Sequence, residues 1–258
     1  STQERQNAIE IMQKIHALKH LEIDGIFTHF SVADEPDPKN IAYTVRQKRS
    51  IIRSAQMLQE KNIPLRHVHF LNSAGICYHN KTGSDSTLAR AGIIMYGLMP
   101  NPALAVPIPV KPVLSFYSRI SHIKTIRPGD CVSYGRTYKA ESARRIATVT
   151  IGYADGYPRA LSNQGEMLVR GIRCPIVGRV CMDQTMIDIS AIPEDLQKEI
   201  QPGEIVTLIG QDGEASITAD DIAGLCSTIG YEIVCGISKR IPRIFKENAR
   251  IIHEDHLI

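Results

Sequence analysis

The sequence predicts an α/β domain followed by a mainly antiparallel β-domain. Helix-like and strand-like patterns alternate up to Leu98, which is typical of parallel βαβ units. A connector rich in proline follows, with prolines at positions 100, 102, 107, 109 and 112. Beyond it, short runs of alternating apolar residues are separated by glycine-containing turns. We therefore predict two domains, residues 1–110 and residues 111–258.

The predicted elements of the first domain are helix 3–18, strand 21–30, helix 38–61, strand 64–72, helix 73–78 and an apolar run that ends at 98. The first helix is predicted because Ile9, Met12 and Ile15 recur at helical spacing. Asp37 and Pro38 are typical of an N-cap and a first helical position, so the second helix begins there. With about three strands, the region is far shorter than a complete (β/α)8 barrel of roughly 250 residues. An open sheet alone could also account for it.

In the second domain, strands are predicted at 113–120, 146–151 and 167–169, where apolar residues alternate or run together. Thr218 suits the N-cap of a helix over 218–228, in which Ile222 and Leu225 share a face. Turn signals separate the strands at Pro128-Gly129-Asp130, Ala154-Asp155-Gly156, Gly171, Pro202-Gly203 and Asp212-Gly213.

Composition limits the possible functions. The 258 residues are 43% hydrophobic and carry a net charge of only +3, without a basic patch that would indicate nucleic acid. No apolar run approaches the roughly 20 residues that span a bilayer, and the N-terminus lacks the order of a signal peptide. There is no C-x-x-C pair, so we expect reduced, buried thiols in a cytoplasmic protein at Cys77, Cys131, Cys174, Cys181, Cys226 and Cys235.

His67 and His69 lie on the same face of a predicted strand and could form half of a metal site. No carboxylate or cysteine cluster completes the site, so we predict no metal. The sequence also lacks a phosphate-binding glycine loop of the nucleotide-binding folds.

Three dense clusters mark the region from Ser133 to Gln184. They are SYGRTY (133–138), IGYADGYPR (151–159) and GRVCMDQ (178–184). Strand patterns between them place their Tyr, Asp, Arg and Met residues in short loops at the ends of strands, where functional groups are often found. The residues alone leave a second interpretation open, in which the four tyrosines are half-buried strand residues with their hydroxyls in water.

The clusters resemble those of the alanine racemase family, which uses pyridoxal 5′-phosphate (PLP). The resemblance extends along nearly the whole chain: THF (28–30), NSA (72–74), ARAGIIMYGL (89–98), SYG, GYADGYPR, CMDQ, the Tyr231 segment IGYEIVC and IPRIF (241–245). It implies that the first domain is the C-terminal half of a (β/α)8 TIM barrel, and that the β-domain supplies a catalytic tyrosine. It also implies interconversion of L- and D-alanine, which provides D-alanine for the cell wall.

The resemblance assigns catalytic roles to three residues. Tyr134 would be one of two bases and would act on the Cα proton on one face of the substrate, with a lysine on the other face. A free tyrosine has a pKa of about 10, so this role requires polar neighbours. His29 would hydrogen-bond the tyrosine and link it to an arginine. Arg90 would face the pyridine nitrogen, where it can only donate a hydrogen bond and so limits side reactions such as transamination.

The resemblance also implies binding residues. The PLP phosphate would be held by Ser73, Gly92, Ile93 and Tyr231, with Asn72 in support. The substrate would meet Met182, Asp183 and Tyr153. Tyr153, with Tyr231 and Tyr134, would also form the narrow inner gate of the entrance. An outer polar ring at the entrance gate would consist of Asp34, Arg159 and Arg179.

The sequence departs from the family pattern at its start. No lysine here matches the one that binds PLP covalently, so we expect that lysine, together with the first half of the barrel, to precede Ser1. On this hypothesis, the 258 residues are a C-terminal portion, inactive alone, of a homodimer whose active sites are shared between subunits. Two alternatives are a serine racemase on the same scaffold, such as the domain of a membrane-anchored resistance protein, and a non-catalytic binding module.

Overall fold

The computed structural model describes residues 2–79, 85–104, 108–248 and 250–255. Pro107, one of the connector prolines, lies outside these ranges. The chain divides into two compact units, Ser1–Val113 and Leu114–Ile258. None of the helices in the described ranges is long and apolar enough to cross a membrane.

The first unit is an α/β unit whose elements follow the predicted order. They are α1 (Thr2–His16), β1 (Gly25–Phe27), α2 (Pro38–Glu60), β2 (His67–His69) and α3 (Ser73–His79). The start of α2 is confirmed, because the Asp37 carboxylate caps the helix and accepts a hydrogen bond from the backbone N–H of Lys39 (2.8 Å). The strands β1 and β2 pair in parallel.

Both strands are much shorter than predicted. Only three residues of each form the ladder, whereas the predictions covered 21–30 and 64–72. Apolar alternation reports which residues face the core, but a strand also requires a partner for its backbone groups. Within the described residues, β1 has β2 as its only partner strand. A single bridge, Leu71 to Ala89, extends the parallel pairing beyond β2.

The apolar run that ends at Leu98 is a 3₁₀ turn over Ile93–Tyr96, which ends at Gly97 in the left-handed region. Among the described residues of this unit, two small buried clusters contribute to the interior. One is formed by Phe30, Ala33, Phe70, Leu71 and Ala74, and the other by Ile9, Leu58 and Ile63.

The second unit is sheet-rich. Its strands are β3 (Phe116–Ile126), β4 (Cys131–Val132), β5 (Tyr138–Lys139), β6 (Arg144–Val149), β7 (Glu166–Val169), β8 (Ile172–Pro175), β9 (Thr185–Asp188), β10 (Ile205–Asp212), β11 (Ala215–Ile217), β12 (Arg243–Glu247) and β13 (Arg250–Asp255). Its helices are α4 (Glu194–Glu199), α5 (Ala219–Cys226) and α6 (Gly230–Gly236). Thr218 caps α5 as predicted and accepts from Asp221 N–H (3.0 Å).

Seven strands form one sheet in the order β8-β7-β10-β3-β6-β9, with β11 added beside β10. Every pairing is antiparallel, which confirms the predicted class of this domain. The strands of the sheet are fully buried at Ile146, Val149, Met167, Leu168 and Ile187. Since Met167 and Leu168 are consecutive in β7, both faces of that strand are covered. The predicted turn glycines at 129, 156, 171, 203 and 213 all have positive φ.

Candidate active site

In the first unit, the polar residues follow the carboxyl ends of parallel strands. Because such ends meet at one edge of a sheet, Thr28 and His29, which follow β1, lie near Asn72 and Ser73, which follow β2. Arg90 joins them because its backbone N–H bonds to the carbonyl of Leu71 (2.8 Å). The motifs THF, NSA and ARAG therefore converge.

Arg90 is held by three contacts. Its Nη1 donates to Nδ1 of His69 (2.6 Å), and its Nη2 donates to the backbone carbonyl of Thr28 (2.9 Å). The guanidinium lies 5.0 Å from the centre of the Phe27 ring, which stacks on His69. These contacts fix the direction in which the side chain points.

His69 accepts from Arg90, so it must be neutral at that nitrogen. Burial, then the positive charge of Arg90, then His67, lower the pKa of His69 below its ordinary value. Burial also lowers the pKa of Arg90, although a guanidinium stays protonated at neutral pH. The pair therefore consists of a neutral imidazole and a charged donor.

His29 is exposed, and its ring contacts Asn72. The Asn72 carbonyl oxygen accepts from Gly75 N–H (2.9 Å), which directs its amide nitrogen to the Phe30 carbonyl (3.0 Å) and to Nε2 of His29 (3.1 Å). Nε2 is then the acceptor, and Nδ1 carries the proton in the neutral ring. Asn72, predicted as a support for the cofactor site, thus also selects the tautomer of His29.

Ser73 and Gly92 meet directly. The buried Ser73 hydroxyl, at the start of α3, accepts from the backbone N–H of Gly92 (2.9 Å). A Cβ at position 92 would lie 3.4 Å from that hydroxyl oxygen, which is an ordinary van der Waals contact. Ile93 begins the 3₁₀ turn that follows. Three of the four predicted phosphate ligands are therefore adjacent.

Tyr231 is the second residue of α6 and is half-buried. The helix begins close to α5, since a Cβ at Gly230 would lie 2.4 Å from Oδ1 of Asp220. Burial raises the pKa of that carboxyl group.

In the second unit, the three sequence clusters come together through backbone contacts. Tyr153 N–H bonds to the carbonyl of Cys181 (3.0 Å), and Ala154 N–H bonds to that of Met182 (2.9 Å). Gly152 permits this approach, because a Cβ there would lie 2.3–2.5 Å from backbone atoms of residues 181–183. The GYADGYPR loop therefore packs directly on the CMDQ loop.

The SYG cluster is attached to the same loop by Ser133. Its hydroxyl donates to the carbonyl of Arg179 (2.7 Å) and lies 3.5 Å from Sγ of Cys181. Ser133 has a φ of 65°, which is unusual for a residue other than glycine. Tyr134 follows it in a 3₁₀ turn and is 74% exposed.

Tyr153 and Met182 are also exposed, at 43% and 57%. The interpretation of all four tyrosines as half-buried strand residues is wrong, because Tyr134 and Tyr153 lie in 3₁₀ turns and only Tyr138 lies in a strand. Tyr157 is fully buried, and burial raises its pKa.

Asp155 anchors the GYADGYPR loop from inside. This buried carboxylate accepts from Gly152 N–H (2.8 Å) and from Nε of Arg240 (2.6 Å). Asp183, predicted at the substrate wall, is exposed. The pKa of Arg240 is raised mainly by its hydrogen bond to Asp155, and also by the negative charges of Asp155 and Asp183.

The predicted gate residues do not form one set within the described contacts. Asp34 is half-buried and its carbonyl accepts from Asn101 (2.9 Å). Arg159 is exposed in a 3₁₀ turn, whereas the half-buried Arg179 approaches Gly135. Asp34 belongs to the first unit and the two arginines to the second.

The predicted buried state of the thiols is correct only for Cys77 and Cys174; the others are partly or fully exposed, and all six are free. Among the described residues, no group of three His, Cys, Asp or Glu side chains could hold a metal ion. The alternating HVH pattern indicates only half of a metal site, and it does not predict that His69 accepts a hydrogen bond from Arg90. Thr28 was missed because it acts through its backbone carbonyl.

Two family models match the chain. Residues 3–100 match the model described as alanine racemase, N-terminal domain, and residues 113–245 match alanine racemase, C-terminal domain. The alanine racemase of Halothermothrix orenii is 45% identical over 93% of this chain and 60% of its own length. That of Nostoc sp. is 41% identical over 93% of this chain and 59% of its own length.

Solved structures give the same result. The alanine racemase from Bacillus anthracis with bound L-Ala-P superposes with a TM-score of 0.87 at 36% identity, over 98% of this chain and 62% of that one. The alanine racemase from Bartonella henselae with covalently bound pyridoxal phosphate has a TM-score of 0.74 at 28% identity, over 93% of this chain and 60% of that one. The chain thus spans about three fifths of the length of these relatives.

Proposed function

Because the chain belongs to the alanine racemase family, we propose that the protein takes part in the PLP-dependent interconversion of L- and D-alanine. The observation that carries this proposal is the convergence of His29, Ser73 and Arg90 at the ends of β1 and β2. The three residues lie in the THF, NSA and ARAG segments on which the resemblance to the family rests. A module that only binds a ligand does not need a histidine whose tautomer is set by a hydrogen bond, next to an arginine whose orientation is set by two hydrogen bonds.

The residues present fit the phosphate and the ring of PLP. The Ser73 hydroxyl and the adjacent backbone of Gly92 and Ile93 would hold the phosphate. Tyr231 would add a hydroxyl to the phosphate site. The relative from Bartonella henselae holds pyridoxal phosphate covalently, which supports this choice of cofactor.

Arg90 would face the ring nitrogen of the cofactor. Its Nη1 and Nη2 each already donate one hydrogen bond, so the guanidinium keeps its orientation. A guanidinium has no hydrogen-bond acceptor and can only donate, so its partner nitrogen would stay unprotonated. This moderates the electron withdrawal that PLP supplies when it is bound, and it favours return of the proton over transamination.

Tyr134 would exchange the Cα proton on one face of the substrate. Its exposure in a turn leaves the phenol available to another subunit. Since Nε2 of His29 accepts from Asn72, Nδ1–H is the nitrogen left to bond the phenol oxygen. A donor at that position stabilises the phenolate, which is the form that removes a proton.

The exposed loop of Tyr153, Met182 and Asp183 would bind the substrate. The backbone N–H of Met182 would meet the substrate carboxylate, and Tyr153 would narrow the inner gate so that a small amino acid is favoured. Asp34, Arg159 and Arg179 would form the outer polar ring of the entrance.

We further propose the assembly in which this occurs. Residues 1–110 would form the C-terminal half of a (β/α)8 barrel, and residues 111–258 the β-domain. In a homodimer, Tyr134, Tyr153 and Met182 would complete the site of the partner subunit. Six free thiols support a cytoplasmic location.

The test measures the racemisation of alanine and of serine by the PLP-loaded enzyme, with circular dichroism as the readout. We expect alanine to be the better substrate, and we expect Tyr134→Phe to reduce kcat by about 10²- to 10⁴-fold while PLP still binds. Since Tyr134 is exposed, its removal should leave the melting temperature unchanged. Undiminished turnover in both directions would refute its role, and a preference for serine would favour the alternative racemase.

A further inference from the structure

The backbone that carries His29 is held by a side chain outside the family motifs. The Thr28 N–H makes the last ladder bond of β1, to the carbonyl of His69 (3.2 Å). Beyond it, Nε2 of Gln47 donates to the carbonyl of His29 (3.2 Å), and Oε1 of Gln47 accepts from Ser31 N–H (3.3 Å). One half-buried amide of α2 therefore binds the two peptide groups on either side of Phe30.

This pattern is that of a parallel ladder. In a parallel pair, one residue bonds through its C=O and its N–H to the residues before and after its neighbour, and the Gln47 carboxamide takes that place. The role requires a donor and an acceptor placed as in a peptide group, which among side chains only the carboxamides of Gln and Asn offer. Asn is shorter by one methylene, and Glu would lose the donor.

The other side of the same segment is fixed as well. Phe30 is buried, and its ring lies 5.5 Å from that of Phe70. Its carbonyl accepts from Asn72, the residue that also holds the His29 ring. The His29 main chain is therefore located by one amide and its ring by another, although the side chain itself is exposed.

We infer that Gln47 is a positioning residue for His29, an inference that rests on the proposed function. Without its two hydrogen bonds, the His29–Ser31 segment would lose its support on the α2 side, and the imidazole would shift relative to the phenol of Tyr134. Misplacement of a reacting group by about 1 Å can cost about 10²-fold in rate. The loss would fall on the proton transfer made by Tyr134, not on PLP binding.

The experiment compares Gln47→Met with Gln56→Met in the holoenzyme. Methionine keeps the length of the side chain but makes neither hydrogen bond, and Gln56 is an exposed glutamine of the same helix. We expect kcat/KM to fall about 10- to 100-fold for Gln47→Met and to stay within about twofold for Gln56→Met, the usual scatter of a neutral surface change. L- and D-alanine have equal free energies in water, so kcat/KM must fall equally in both directions.

The primary isotope effect of α-deuterated alanine separates positioning from a general loss of structure. It should rise in the direction in which Tyr134 removes the proton, because that step becomes slower. It should fall in the opposite direction, in which Tyr134 only returns a proton. Partial unfolding would lower the amount of active enzyme without changing either isotope effect.

If Gln47→Met does not fold, Gln47→Glu tests the inference instead. A glutamate can still accept from Ser31 N–H, but it cannot donate to the carbonyl of His29. The same asymmetric change in isotope effects supports the inference. Isotope effects equal to those of Gln56→Met in both directions overturn it. If the unmodified enzyme racemises no amino acid at all, the proposed function fails and this inference fails with it; if only the Gln47 variants match their control, the inference alone fails.

Discussion

Gly152→Ala should displace the CMDQ loop, to which we assign substrate binding, without altering the residues that we assign to the cofactor. An added Cβ would lie 2.3 Å from the carbonyl oxygen of Cys181, 2.4 Å from that of Met182 and 2.5 Å from the Asp183 nitrogen. All three are backbone atoms, so no side-chain rotation relieves the overlap. The φ of −158° at Gly152 is extended, which alanine adopts freely, so the effect is purely steric.

The magnitude follows from these distances. Ordinary contacts require about 3.5 Å, so the loop must move by about 1 Å relative to Gly152. Gly152 cannot easily move instead, because its N–H is bonded to the buried carboxylate of Asp155. A shift of about 1 Å at the Met182 N–H should reduce kcat/KM by about 10²-fold, or about 2.7 kcal/mol of transition-state stabilisation. The overpacking should cost about 1–3 kcal/mol of folding stability.

The assay is racemisation of alanine by circular dichroism, together with the PLP absorption and thermal melting of the same sample. Gly224→Ala is the matched control, since Gly224 lies in α5 with no atom within 4 Å of its added Cβ. That variant should keep full activity and gain up to about 1 kcal/mol. The reasoning is refuted if Gly152→Ala, folded and loaded with PLP, racemises alanine as fast as the control.

Two further predictions concern Arg90 and its hydrogen-bond partner His69. Arg90→Glu should increase the side conversion of alanine to pyruvate, because a carboxyl group can protonate the ring nitrogen where a guanidinium cannot; a coupled lactate dehydrogenase assay measures it, and no rise above the background of the unmodified enzyme would contradict the account. The lowered pKa of His69 makes a pH prediction: below about pH 6.5 the unfolded chain binds a proton that the folded chain resists. Stability should therefore be highest above that pH and decline as the pH falls through it toward the lower folded-state pKa. His69→Gln should flatten this decline in urea unfolding between about pH 5 and 7, and an unchanged slope would show that other groups produce it.

The helix starts could be predicted from sequence because their causes are local. Asp37 before Pro38 and Thr218 before an apolar face each act within one turn of chain, and both form the expected caps. The turn glycines were predictable for the same reason. The class of each domain followed from how these local signals alternate along the chain.

The limits of the strands and the contacts of the site could not be predicted, because they depend on partners distant in sequence. Strand β1 ends where its ladder with β2 ends, although the apolar pattern continues to Phe30. His69 was visible as a polar residue in a strand, but its neighbour Arg90 lies 21 residues away and no local pattern joins them. Gln47 gave no signal, since a glutamine within a helix is usually solvated.

The two units hold their functional residues by different physical means, and this difference predicts how each tolerates change. In the first unit, side-chain amides of Gln47 and Asn72 hold the exposed segment of His29, so its geometry is lost when a donor or acceptor is removed. In the second unit, loops lie backbone to backbone across Gly152, so their geometry is lost when a single methyl group is added. Substitutions that remove the amide of Gln47 or Asn72 should therefore impair the first unit, and substitutions that add a side chain at Gly152 should impair the second.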